Sequence, residues 1–159
     1  LETMLSDALV CSKICSYAQG LSLIWEAKKV HGWTDLQLTK VLDCSRGVCI
    51  IRAKLICDFS AAILDDTDDD HFNLLAAPSI DSLLRDRQQN WRRVVAAACL
   101  NGIPVPALAN SLAYFDSMHS PYLDSAALIQ AQRDCFGGHT YKRLDKPIAE
   151  SFTTDWMSP

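Results

Sequence analysis

The chain has 159 residues, 49% hydrophobic and 21% charged, with a formal net charge of −4 and a pI near 5.4. That composition belongs to one ordinary globular domain, and its acidic balance excludes the global basic field with which a protein gathers nucleic acid. There is no apolar run of about 18 residues, and "LETMLSDALV" has no cationic flank ahead of a cleavable apolar segment, so neither a membrane span nor a signal peptide is predicted.

From Met4 to about Val30, Leu5, Leu9, Ile14, Tyr17, Leu21, Ile24 and Trp25 recur at mixed spacings of three to five. The pattern predicts a long, largely buried helix stopped by Gly32. Because the chain opens inside this pattern without an initiator methionine, a fragment of a longer protein is expected. "WTDLQLTKVLDCSRG" reads as a short helix capped by Thr34 or Asp35 and ended at Gly47. "VCIIRAKLICDFSAAIL" follows as a helix that is apolar almost all round.

The run "DDTDDDH" from Asp65 to His71 has acidic residues at alternate positions, as a calcium loop does. His71 stands where that loop needs glycine and Ala77 where it needs glutamate, so a solvated acidic loop is expected instead. "SIDSLLRDRQQNWRRVVAAACLNG" is an amphipathic helix with Ser79 as cap and Asp81 paired with Arg85 one turn on. Its Arg85, Arg87, Arg92 and Arg93 are interleaved with acids and read as a solvated face. "GIPVP" breaks the chain, and two more helices, "ALANSLAYFDSMHS" and "DSAALIQAQRDCF", follow. After Gly137 and Gly138 an aperiodic tail carries Trp156 on a polar string.

The fold class is therefore all-α: a helical domain over residues 1–138 and an extended C-terminal tail over 139–159. Helices near 4–30, 48–64, 79–100 and 123–136 should share one core, with Trp91 and Tyr114 in it. Seven cysteines, mostly inside apolar runs, predict reduced thiols in a cytoplasmic protein, with Cys11, Cys49, Cys57 and Cys99 buried. No CxxC or HExxH occurs, so no metal site is expected.

Three residues could carry chemistry. Arg133 shares a helix face with Ala126, Ile129 and Phe136, and Arg52 shares one with Val48, Leu55, Ile56 and Phe59. A guanidinium on an apolar face needs a partner: a distant carboxylate, an escape to solvent, or a bound anion. With His139 just beyond the helix stop, the two arginines suit a phosphate or carboxylate, which the guanidinium fork binds through two parallel hydrogen bonds. His31 at a helix end needs no function, since the helix dipole favours a cation there.

Seven segments, "KICSYAQG", "GVCIIRAKLI", "NWRRVV", "GIPVP", "LAYFDS", "LIQAQRDCFGGHTYKR" and "TTDW", resemble in order the C-terminal all-helical part of 6-phosphogluconate dehydrogenase. The resemblance spans nearly the whole chain. It implies the oxidative decarboxylation of 6-phosphogluconate to ribulose 5-phosphate, a step of the pentose phosphate pathway and of gluconate utilization, with NADP as hydride acceptor. It also implies a homodimer in which Arg52 holds the substrate phosphate in its own subunit while Arg133 and His139 reach into the partner's site. No GxGxxG follows a strand, so NADP would be bound mainly by a domain outside this chain. The family's catalytic lysine and glutamate lie upstream of these residues, so the chain is expected to hold no catalytic residue and to be inactive alone. Cys135 stands where the family commonly has tyrosine, Gly138 where it has alanine, "CSRGVC" where it has "WRGGC", and Thr153 where it has a histidine. The alternative is a non-catalytic helical dimerisation or ligand-binding module that kept the fold without the chemistry.

Overall fold

The structure, a computed structural model, describes residues 1–48, 54–65 and 72–157. Arg52, Cys49 and the acidic run over 66–71 lie outside the described residues. Among those described there are six α-helices and no strand: α1 (Glu2–His31), α2 (Leu38–Val48), α3 (Leu55–Asp65), α4 (Pro78–Leu100), α5 (Pro106–His119) and α6 (Asp124–Gly137). The all-α class is the one observed. None of these helices is long and apolar enough to cross a membrane. Two compact units divide the chain, Leu1–Phe115 and Asp116–Pro159, with the boundary inside α5.

In the first unit α1 packs chiefly on α4. The buried stripe of α1 is Ala8, Cys11, Ser12, Ile14, Cys15, Ala18 and Leu21, mostly small side chains at spacings of three and four. Facing α4 buries larger ones, Ile80, Leu84, Trp91 and Val94, together with Ala98. A stripe of small residues lets the helix axes approach while the bulk comes from one side. Leu5 and Leu9, expected on the buried face, are exposed instead. α1 is apolar on several faces, so the largest residues did not mark the contact; the smallest did.

Trp91 is fully buried, donates its indole N–H to the Leu108 carbonyl at 3.2 Å and lies 6.1 Å from the Phe115 ring. It thereby ties α4 to the start of α5, with its polar atom satisfied. Asp7 on α1 accepts from Asn90 at 2.7 Å and from Arg87 at 3.3 Å, so one α4 arginine is paired within the unit. Asp81 and Arg85 meet at 2.7 Å on the exposed face. The buried apolar cluster runs from Ala8 to Phe115; α6, expected in the same core, contributes no residue to it.

Helix ends follow local chemistry more closely than the sequence reading did. Gly32 and Gly102 adopt φ of +65° and +67°, the left-handed stops that glycine provides after α1 and α4. α4 begins one residue before the expected Ser79 cap, because Pro78 occupies its first turn, where a missing N–H costs nothing. α2 begins at Leu38 rather than after Thr34 or Asp35, and it runs through Gly47 to Val48. Cys11 and Cys15 are buried, whereas Cys57 and Cys99, expected buried, are exposed. On α3 the buried residues are Ile56, Phe59 and Ala62, and Cys57 falls off that face.

Candidate functional site

The second unit is organised by a carboxylate. α6 buries one residue, Asp134, which is 2% exposed. Its Oδ1 accepts the Thr140 backbone N–H and the Thr153 hydroxyl, both at 2.9 Å. Its Oδ2 accepts the Thr154 backbone N–H and the Trp156 indole N–H, both again at 2.9 Å. The Thr154 N–H does most to hold this carboxyl down to a pKa of about 2 against the opposing pull of burial, with Trp156, Thr153 and Thr140 adding to it.

The tail is thus neither free nor featureless. Tyr141 and Phe152 form an antiparallel bridge with N–H to O distances of 2.8 and 3.0 Å, and the Tyr141 hydroxyl lies 2.8 Å from that of Thr154. Between them Lys142 donates to Ser151 at 2.8 Å, and Arg143 grips Asp145 through two hydrogen bonds of 2.8 and 2.6 Å. The chain loops out and returns to its own helix, where the Trp156 indole is held by Asp134.

Arg133, next to that buried acid, is exposed, and its Nη1 donates to the Gln130 amide oxygen at 3.0 Å. The apolar residues that share its side of the helix, Ile129 and Phe136, are exposed too, Phe136 to 91%. Burial of Arg133 in this chain's core beside a carboxylate is therefore not what the structure holds; the buried charge on α6 is the neighbouring aspartate. Gln130 in turn donates its amide to the Thr140 carbonyl.

His139 sits between two left-handed residues, Gly138 at φ +62° and Thr140 at φ +59°. The Gly138 N–H closes the helix on the Asp134 carbonyl at 2.8 Å, which turns the chain outward there. The imidazole lies against Gly137, where a Cβ would stand 3.0 Å from Nε2. His139 is exposed and lines a groove of about 690 Å³, together with Gln130, Tyr141, Lys142, Thr154 and Trp156. The small residues Ala126, Ala127 and Ala131 form its floor on α6. What the unit offers a ligand is charge and hydrogen-bond donors, the Arg133 guanidinium and the His139 imidazole, at the C-terminal end of α6. Of the three predicted site residues these two fall in one unit; Arg52 is outside the described residues. No group of three or more His, Cys, Asp or Glu side chains among the described residues could hold a metal.

Sequence reasoning missed Asp134, Gln130 and Thr140. Their signal was present: Ala127, Ala131 and Asp134 recur at helical spacing as a stripe of small residues ending in an acceptor, and "TTDW" supplies donors for it.

The family model for 6-phosphogluconate dehydrogenase, C-terminal domain, matches residues 1–156. Decarboxylating 6-phosphogluconate dehydrogenase of Synechocystis is 46% identical over 151 residues, covering 95% of this chain and 30% of that protein. The Escherichia coli K12 enzyme of the same name is 43% identical over 150 residues, covering 94% of this chain and 31% of its own. The chain therefore spans about a third of the length of the curated relatives it matches. Among solved structures, Plasmodium falciparum 6-phosphogluconate dehydrogenase superposes with a TM-score of 0.86 at 35% identity, over 98% of this chain and 32% of that one. That enzyme was determined in its apo form, with its cofactor NADP+ and with its substrate 6-phosphogluconate. With the helical fold and almost every residue of the chain accounted for by that match, this chain belongs to the 6-phosphogluconate dehydrogenase family, as its C-terminal domain.

Proposed function

We propose that this chain is the C-terminal part of an NADP-dependent enzyme that oxidatively decarboxylates 6-phosphogluconate to ribulose 5-phosphate, and that it supplies phosphate contacts and the dimer interface. In this reading Arg52 binds the phosphate within its own subunit, and Arg133 and His139 reach into the site of a second copy. The helical part, 1–138, carries the substrate and dimer contacts, and the tail, 139–159, completes them.

One observation carries the reading. Arg133 and His139 stand exposed at the end of a helix whose neighbouring apolar residues are exposed as well, an arrangement that suits a guanidinium and an imidazole reaching for another subunit's anion.

The six described helices contain no strand-to-helix turn rich in glycine, the arrangement that cradles a dinucleotide's pyrophosphate. In this reading NADP is held mainly by another part of the enzyme, and this chain alone is inactive.

The test is calorimetric binding of 6-phosphogluconate to the full-length protein, wild type against Arg52→Met and Arg133→Met, with unphosphorylated gluconate as control. Each lost charged hydrogen bond is worth about 1.5–3 kcal/mol, so phosphosugar affinity should fall about tenfold or more while gluconate binding changes little. Unchanged affinity for both ligands in both variants would overturn the proposal and leave a helical module without the chemistry.

A further inference from the structure

Asp134 touches no site residue through its own side chain except by way of Thr140, yet its four donors come from the two segments that flank and follow His139. Oδ1 holds one donor from the turn, Thr140, and one from the chain's end, Thr153; Oδ2 holds Thr154 and Trp156. A carboxylate is the one small side chain whose two oxygens accept four donors at once, because an asparagine in its place would aim an NH₂ group at two N–H or O–H donors.

Thr140 is the one non-glycine residue with positive φ among those described, and a β-branched residue stays in that conformation only when its surroundings hold it there. Both of its backbone polar groups are held by α6: the N–H by Asp134 and the carbonyl by Gln130, one turn earlier on the helix. His139 precedes it, and the left-handed Gly138 precedes His139. The imidazole is therefore carried on a three-residue turn with a fixed point at each end, and one of those points is shared with the tail.

We infer that Asp134 is a positioning residue for His139: it couples the Thr153–Trp156 segment to the Gly138–Thr140 turn, so the last residues of the chain set where the imidazole stands over the groove. The functional half of this inference rests on the reading of His139 as a phosphosugar ligand; the structural half does not. Trp156 lines the same groove as His139, so a displaced indole would also change the groove's lining.

The test uses the full-length protein with two variants, Asp134→Asn and the double variant Thr153→Val/Trp156→Phe, which removes two tail donors and leaves Asp134 and His139 in place. Hydrogen–deuterium exchange of the 138–143 segment is read without ligand, and kcat and KM for 6-phosphogluconate are read beside it. Both variants should accelerate exchange at Thr140 about tenfold or more, since a charge-assisted hydrogen bond is lost or loosened. Both should raise KM about tenfold with kcat held within about threefold, because a ligand contact is lost rather than a chemical step. A merely structural role would instead lower the active fraction, reducing apparent kcat at unchanged KM. Unchanged exchange and KM in the double variant would overturn the inference, and that variant decides alone if Asp134→Asn does not fold. If His139→Gln raises KM while neither variant does, the inference likewise falls. If exchange accelerates but KM is unmoved in all three, including His139→Gln, the coupling stands and the reading of His139 as a ligand is what fails.

Discussion

Trp156 donates its indole N–H to Asp134 at 2.9 Å, across 22 residues of sequence, and so closes the C-terminal tail onto the helix that precedes it. The contact depends on ionisation. The Asp134 carboxyl is held down to about 2 from an ordinary value of 3.8, so it binds a proton more weakly folded than unfolded. The stabilisation is fully present above the ordinary value and is lost as pH falls through the folded one. The Trp156 indole resonance should hold its position down to a pH near 4 and move with a midpoint near 2. A midpoint at the ordinary carboxylate value would mean that the four hydrogen bonds are not held in solution.

That carboxylate also shows where sequence reading reached and where it stopped. Gly32 and Gly138 as helix stops were legible, because a left-handed residue after a periodic run leaves few candidates. The buried side of α6 was not. Ile129, Arg133 and Phe136 share a face that looked inward on apolarity, whereas in the chain alone the buried residue is Asp134, held by donors from the tail. Periodicity identifies an apolar face but not whether this chain or a second one covers it. α1 failed similarly: its small residues mark the packed stripe, while Leu5 and Leu9 face out.

Gly137 and Gly138 should respond differently to alanine. At Gly137 a Cβ would meet His139 Nε2 at 3.0 Å, so Gly137→Ala displaces the imidazole at little cost in stability. At Gly138 a Cβ meets nothing within 4 Å but the backbone sits at φ +62°, so Gly138→Ala costs about 1 kcal/mol of backbone strain and leaves His139 in place. Thermal melts paired with phosphosugar titrations separate the two. Equal losses of affinity in both variants would contradict the assignment.

The cysteines should divide by position. Burial pushes the Cys11 thiol up to about 11 and Cys15 up to about 12, with the charge of Asp7 adding to the first and Cys11 itself to the second. A thiol that stays protonated and covered does not alkylate. Iodoacetamide at pH 8 under native conditions should label Cys44, Cys57, Cys99 and Cys135 and spare Cys11 and Cys15, as read by peptide mass mapping. Labelling of Cys15 at the rate of Cys135 would show that the α1–α4 contact opens readily.

Trp91 tests the first unit's core. It is fully buried, its N–H is satisfied by the Leu108 carbonyl, and its ring meets Phe115. Trp91→Ala removes the largest fully buried side chain among the described residues and should cost about 3–5 kcal/mol in a denaturant titration. Trp91→Phe should recover much of that, leaving the carbonyl without its donor. A loss under about 1 kcal/mol for the alanine variant would mean that α4 and α5 are not held through this residue.

Phe136 bears on the proposed dimer. Its side chain is 91% exposed, and Leu128 and Ile129 two turns earlier on α6 are exposed as well, so within this chain it buries almost nothing. Replacing it with a charged residue therefore has little leverage on the fold of the chain that carries it. If a second copy covers the face, Phe136→Asp places an unpaired carboxylate in a desolvated contact, and aromatic residues at such centres commonly contribute about 2 kcal/mol or more to association. Sedimentation of the full-length protein should then show the dimer dissociating at least about tenfold more readily, with the helical circular dichroism signal preserved. An unchanged dimer would move the interface away from α6 and remove the physical reason for keeping Arg133 beside an apolar surface.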